Sequence, residues 1–209
     1  MSGKTYRDPS VTKYDFTQDD LRSLYSIVSY GARHATSKGE AIWYFDRRIT
    51  YGEFMEDVDA IAAGLVIHGV KKGDYVTIFL PNIPQCVMAV YSVNRIGAIC
   101  NLVHPLSTRA ELEHAIHLTG SRIIMAFEGN EGICEGLGAK VIRCRIPTFF
   151  PTNIKGKAMR VGFKLLKFRD AKKASNAVEW TAILKSGKNF IKHGGELPED
   201  TVKPEDTAA

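Results

Sequence analysis

Tyr75-Val76-Thr77-Ile78-Phe79-Leu80-Pro81-Asn82-Ile83-Pro84 passes from a run of apolar and β-branched residues to a proline-bounded break. It reads as a buried strand that turns directly into a helix. Pro84 suits the first helical turn, where its missing N–H costs nothing, and the helix extends over about 84–96. Gly97-Ala98-Ile99-Cys100-Asn101-Leu102-Val103 is a second strand. Thr108-Arg109-Ala110-Glu111 is a capping box, in which each end residue satisfies the other's backbone N–H. Leu112, Ala115 and Ile116 give the helix behind it an inner face. Gly120 punctuates, and Arg122-Ile123-Ile124-Met125-Ala126-Phe127 is a third strand. It is apolar throughout, as a strand covered on both faces would be.

Upstream, Thr50-Tyr51-Gly52-Glu53 is another capping box, and Phe54, Val58, Ile61 and Leu65 recur on one helix face. Gly69 can end this helix in the left-handed conformation, and Lys71-Lys72-Gly73-Asp74 is a turn. Ala41-Ile42-Trp43-Tyr44-Phe45, a polar turn at Asp46-Arg47-Arg48, and Ile49-Thr50-Tyr51 outline a hairpin. Residues 18–33 read as a first helix with Thr17 as N-cap, Asp20 three positions on, and a stripe of Leu21, Leu24, Ile27 and Val28.

From Tyr51 the order is therefore helix, strand, helix, strand, helix, strand, with short loops. That alternation implies an α/β fold: a mostly parallel sheet, reached by right-handed crossovers, with helices on both faces. The core spans about 18–145. Its last element is a further short strand at Lys140-Val141-Ile142; beyond it 147–193 is a basic, irregular excursion with a helical turn or two at 179–184, and 194–209 is a polar tail.

Composition is that of an ordinary globular protein, 44% hydrophobic and 24% charged. No apolar run reaches the ~18 residues of a spanning helix, and the polar start at Met1 has no apolar stretch behind it, so a cytoplasmic location is expected. Cys86, Cys100, Cys134 and Cys144 form no C-x-x-C pair and read as buried, reduced thiols, with a zinc site or disulfides as the alternative. The net charge of +5 is uneven. Residues 140–192 hold fourteen basic and two acidic side chains, a net of +12.

No G-x-x-x-x-G-K-[ST], G-x-G-x-x-G or G-x-S-x-G is present. Gly129, Gly132, Gly136 and Gly138 read as flexible turns and not as a nucleotide loop. His114 and His117, three apart on a helix near His104, Glu111 and Glu113, have a spacing compatible with metal, but a polar helix face is the commoner meaning. The basic stretch 155–173 is a solvated face, an interfacial helix in which Met159, Phe163, Leu166 and Phe168 meet lipid, or a nucleic-acid contact. No recognition motif accompanies the last, and no nucleic-acid partner is expected.

Ile49-Thr50-Tyr51-Gly52-Glu53-Phe54, then Ala62-Ala63-Gly64-Leu65, Gly69-Val70-Lys71-Lys72-Gly73-Asp74-Tyr75-Val76, Leu80-Pro81-Asn82-Ile83-Pro84-Gln85, Gly97-Ala98-Ile99-Cys100-Asn101 and Pro105 together resemble the opening of the AMP-forming, or adenylate-forming, acyl-CoA synthetase family. That family includes fatty acyl-CoA synthetases, coumarate-CoA ligases, luciferases and peptide-synthetase adenylation domains. The resemblance covers roughly 18–127, and the order and spacing of the elements carry it. Lys203-Pro204-Glu205-Asp206-Thr207-Ala208-Ala209 resembles the lead-in to the family's phosphate-binding loop.

The resemblance implies the first subdomain of the family's large domain, and a parent enzyme that uses ATP, magnesium and CoA. In the implied reaction a carboxylate attacks the α-phosphate of ATP, giving an acyl-adenylate and pyrophosphate, and a thiol then displaces AMP. A fatty or aromatic acid is the expected substrate. The resemblance places the nucleotide, metal and catalytic residues beyond Ala209, so 1–209 is expected to hold no catalytic, cofactor-binding or metal residue, to bind none of these groups alone and to be inactive alone. An exposed apolar face would favour self-association. The alternative is a free-standing α/β module acting through 155–173 on a partner or a membrane surface.

Overall fold

The computed structural model describes residues 17, 22–35, 39–165, 172–199, 202–203 and 206–208. Five parallel strands form its centre: β3 (Tyr75–Phe79), β4 (Ile99–Leu102), β5 (Ile123–Phe127), β6 (Lys140–Cys144) and β7 (Val178–Glu179), in the order β4-β3-β5-β6-β7. Every pairing between neighbours is parallel. Apart from this sheet, β1 (Glu40–Tyr44) and β2 (Arg47–Thr50) form an antiparallel hairpin. The α/β class with a parallel sheet is as the alternation in the sequence implies.

Side chains alternate between two cores. Val76, Ile78, Ile123, Met125, Ile142 and Cys144 point to one face. There they meet α2 (Tyr51–Ile67), α3 (Pro84–Arg95) and α6 (Trp180–Lys192). Phe79, Ile124, Ala126 and Val141 point to the other face. There Leu112 and Ile116 of α4 (Arg109–Thr119) cover them, with Cys134 from a 3₁₀ turn at Glu131–Cys134. Helices thus lie on both faces.

Local signals set the helix ends. Thr50 and Glu53 cap α2 reciprocally, as do Thr108 and Glu111 for α4. Gly69 follows α2 at φ +87°, and Gly120 ends α4 at φ +65°. The first helix, α1 (Leu24–His34), starts later than the sequence suggests. Ser23 is its N-cap, its hydroxyl accepting from the Ser26 N–H, while Thr17 lies well outside the helix and Asp20 outside the described residues. Tyr25 fastens α1: its hydroxyl donates to Asp59 Oδ1 of α2 at 2.9 Å, and its ring lies under the Arg95 guanidinium of α3. Burial, then the Asp59 charge, pushes the Tyr25 hydroxyl up to about 12.

The hairpin turn is Phe45-Asp46, with φ of +47° and +65°, so Arg47 and Arg48 belong to β2 and not to the turn. Two positive φ values make this the turn that matches strand twist, usually built from Asn-Gly. A bulky aromatic there is a strained choice. Contacts of Phe45 with Tyr44 and Phe150 hold it in place.

The core runs past residue 145. The segment read as irregular, 147–193, holds α5 (Ile154–Leu165), β7 and the thirteen-residue α6. Trp180 and Ile183 of α6 are fully buried in the main core. The tail is seated as well: Val202 is buried against Gly97, Asp206 pairs with Lys72, and Ala208 accepts from the Cys100 N–H at the outer edge of β4.

Helix α6 lies unusually near α2. A Cβ on Gly187 would stand 1.7 Å from the Ala60 carbonyl oxygen, and one on Gly64 would stand 2.5 Å from Ile183 Cγ2. Gly31 in α1, by contrast, has open space around it. In urea unfolding, Gly187→Ala should lower stability by about 2 kcal/mol or more, because backbone must move. Gly31→Ala should raise it by about 0.5–1 kcal/mol through helix propensity and a stiffer unfolded chain. Equal effects at both sites would mean that the close crossing does not exist.

Candidate functional site at the carboxyl edge of the sheet

In this strand order the chain leaves β3 for β4 on one side, then returns past β3 to reach β5. Connections reverse direction between β3 and β5, and in open parallel sheets ligands bind outside the strand carboxyl ends at such a reversal. The segments arriving there are Pro81–Gln85 after β3, Glu128–Glu131 after β5, Arg145 after β6, and Glu179 at the end of β7.

These side chains form one charged cluster. Arg145 donates to both Glu179 oxygens, at 2.9 and 2.7 Å, and lies 3.5 Å from Glu128. Arg143 donates to Glu131 and, at 2.9 Å, to Glu179. Gln85 Nε2 donates to the Arg145 carbonyl at 2.8 Å. Asn130 Nδ2 donates to the Pro105 carbonyl at 3.1 Å. Its two arginines hold Glu179, the N-cap residue of α6, below the usual carboxylate range, with the hydrogen bond from Arg145 contributing most. Burial pushes the Glu128 carboxyl the other way, up, against the opposing pull of Arg145.

The cluster is short of donors. Gln85 Oε1, Glu128 Oε1, Asn130 Oδ1 and Glu131 Oε1 are buried and have no hydrogen-bond partner among the described residues. All four are acceptors, and a buried acceptor left alone costs about 1–3 kcal/mol. The edge is therefore chemically suited to a group that brings N–H or O–H donors.

A cleft of about 600 Å³ opens beside it, lined by Arg109, Gly129, Asn130, Ile133 and Lys172. Arg109, at the start of α4, donates to the Ile133 and Glu135 carbonyls, both at 2.7 Å, and so ties α4 to the loop after β5. Of the four scattered glycines, Gly132 is required by packing, since a Cβ there would stand 2.4 Å from the Lys172 carbonyl oxygen. Gly136 and Gly138 take φ of +75° and +73°. They are defined turns leading into β6.

The remaining candidates fall elsewhere. His104, His114 and His117 are exposed, and His104 Nδ1 accepts from the Leu106 N–H. No group of three or more His, Cys, Asp or Glu side chains converges as a metal site among the described residues. All four cysteines are free; Cys100, Cys134 and Cys144 are buried and Cys86 partly so. Burial raises all four thiols, Cys100 and Cys134 to about 12. The carboxyl-edge cluster escapes sequence reading because its members are scattered from Gln85 to Glu179. The available signal is positional and covers two members: Glu128 directly follows the apolar β5, and Arg145 directly follows β6.

Glu179 supplies a pH test. Its value in the fold lies below the ordinary 4.5, so its stabilisation is complete above that value and is lost as pH falls through the lowered one. Glu128, raised in the fold, acts oppositely. Glu179→Gln should lower stability at neutral pH and flatten the loss of stability on the acid side of 4.5, read by urea unfolding across pH. An unchanged acid limb would show that the pair with Arg145 contributes nothing.

The sequence model described as AMP-binding enzyme matches residues 31–209. Acetyl-coenzyme A synthetases of Brucella anthropi and Brucella suis are each 40% identical to this chain over 116 residues, covering 50% of the chain and 18% of the relative. The chain thus spans under a fifth of the length of those relatives. An artificially fused adenylation–PCP di-domain, NpsA-ThdA of Klebsiella oxytoca, superposes with a TM-score of 0.58 at 17% identity, covering 89% of this chain and 27% of that one. A putative long-chain-fatty-acid CoA ligase of Rhodopseudomonas palustris gives a TM-score of 0.58 at 16% identity, covering 77% and 36%. These two likenesses concern the fold. The match over 31–209 takes in both the parallel sheet and α6, and on it the chain belongs to the AMP-binding enzyme family.

Proposed function

We propose that the chain is the N-terminal portion of an ATP-dependent, AMP-forming acid–CoA ligase that makes an acyl-adenylate and then an acyl-CoA. The observation that carries this reading is the 40% identity to acetyl-coenzyme A synthetases over 116 residues, within a family match that runs to residue 209. Magnesium and CoA belong to the same proposal.

The described residues do not by themselves fit ATP or magnesium. No glycine-rich cradle joins a strand to a helix N-terminus, and no acidic group converges as a metal site among them. No chemical step is assigned to any of them. Their contribution in this reading is a rigid platform: a parallel sheet whose carboxyl edge offers buried acceptors to donors from elsewhere in the protein.

The substrate we favour is a fatty or aromatic carboxylic acid. Support comes from the bulky apolar residues gathered beside the basic segment: Phe45, Phe149, Phe150 and Phe163 group around β1, β2 and α5. Alone, the 209-residue chain should be inactive.

ATP–pyrophosphate exchange with short, medium, long-chain and aromatic acids tests this. A longer polypeptide that continues past residue 209 should exchange with one acid class, and the 209-residue chain should not. Exchange by the short chain would refute its proposed inactivity. No exchange by the longer one with any acid would refute the ligase assignment.

A further inference from the structure

Helix α5 turns an apolar stripe outward. Ile154, Ala158 and Val161 follow the helical spacing i, i+4, i+7 and share one face. All three are exposed, Ile154 at 86% and Val161 at 61%. The opposite side of α5 is spoken for. Gly156 sits on Pro151, where a Cβ would be 1.7 Å from the carbonyl oxygen. The Arg160 guanidinium donates to the Phe150 and Pro151 carbonyls at 2.7 and 2.9 Å. Phe163 meets Phe150 edge-on at 5.8 Å. The outward stripe is therefore no loose inner face.

The hairpin stands beside this helix. Phe150 meets Phe163 of α5 and Phe45 of the hairpin turn edge-on, and Lys155 pairs with Asp46. Trp43 and Phe45 are 66% and 52% exposed. Phe45 is kept at the tip by a backbone conformation that bulky residues seldom adopt. Two elements far apart in sequence thus present large apolar side chains in one neighbourhood.

The charge around them is mainly positive, although Asp46 pairs with Lys155 and Glu40 with Arg48. The α5 sequence, Ile154 to Leu165, has four basic residues and no acidic one, and Arg47 and Arg48 lie on β2. Basic residues beside outward apolar ones are the pattern of a segment lying in a membrane interface, where the apolar groups enter the acyl boundary and the cations meet anionic headgroups. Nucleic acid would use the charge but would leave Ile154 and Val161 in water.

We propose that α5 and the β1–β2 turn form a docking surface for an anionic lipid bilayer, with Trp43, Phe45, Ile154 and Val161 entering it and Lys157 at the headgroups. The proposal stands on this surface alone and does not depend on the ligase reading.

Tryptophan fluorescence of the full 209-residue chain gives the test. Trp180 is 1% exposed, so changes on vesicle addition report Trp43. With equimolar phosphatidylcholine–phosphatidylserine vesicles, Trp43 emission should shift to the blue and lose iodide quenching, and salt should reverse both. Phosphatidylcholine alone should give little change. Lys157→Glu should weaken partitioning about tenfold, and Ile154→Asp with Val161→Asp should abolish the shift. Both aspartates replace exposed side chains, and far-UV circular dichroism checks that the fold survives. Several results would overturn the proposal: no binding, binding that leaves Trp43 open to iodide, or equal binding to neutral vesicles. So would Trp43 shielding that depends on protein concentration without lipid, which would make the surface a contact between copies.

Discussion

The structure depends on two helix backbones touching. At Gly64 and Gly187 there is no side chain between α2 and α6, and the Ala60 carbonyl lies where a Gly187 Cβ would be. This approach brings Trp180 and Ile183 down onto the same sheet face as Val58, Ile61 and Leu65. Removing the spacing atom has a cost, since glycine inside a helix is worth roughly 1 kcal/mol less than alanine. Burial of an indole and an isoleucine offsets it, at about 1.5–3 kcal/mol for a large side chain fully removed from water.

The same crossing organises the carboxyl edge. Glu179 is at once the last residue of β7 and the N-cap of α6, and its carboxylate is taken by Arg143 of β6 and Arg145 just after it. It therefore makes no side-chain cap bond to α6. Fixing α6 against α2 fixes Glu179, which orients two arginines, which in turn hold Glu128 and Glu131. The loops after β5 and β6 inherit their positions from a helix contact on one face of the sheet.

How far the sequence could be read follows from how local each cause is. Thr50 with Glu53 and Thr108 with Glu111 act over three residues, so α2 and α4 could be placed in advance. The strands β3 and β5 are apolar runs between clear turns and were legible for the same reason. Helix α6 was legible only in its first turns, at 179–184: Gly187 in its middle argues against a longer helix unless one knows that Gly64 lies opposite. Strand β7 has two residues and exists only because β6 is beside it. The turn at Phe45-Asp46 ran against residue preference and was placed one step late. The charged edge, assembled from four segments, had no local signature.

The four cysteines occupy α3, β4, a 3₁₀ turn and β6, and so sample both cores and two strands of the sheet. Burial keeps them as neutral thiols, and only the thiolate is nucleophilic. The folded molecule should be nearly silent to alkylating reagents, so each labelling event counts an opening. Cys86, the least covered, times local breathing of α3, whereas Cys144, fully buried at the end of β6, times loss of the main core. The chain carries its own clock for the stability of its parts.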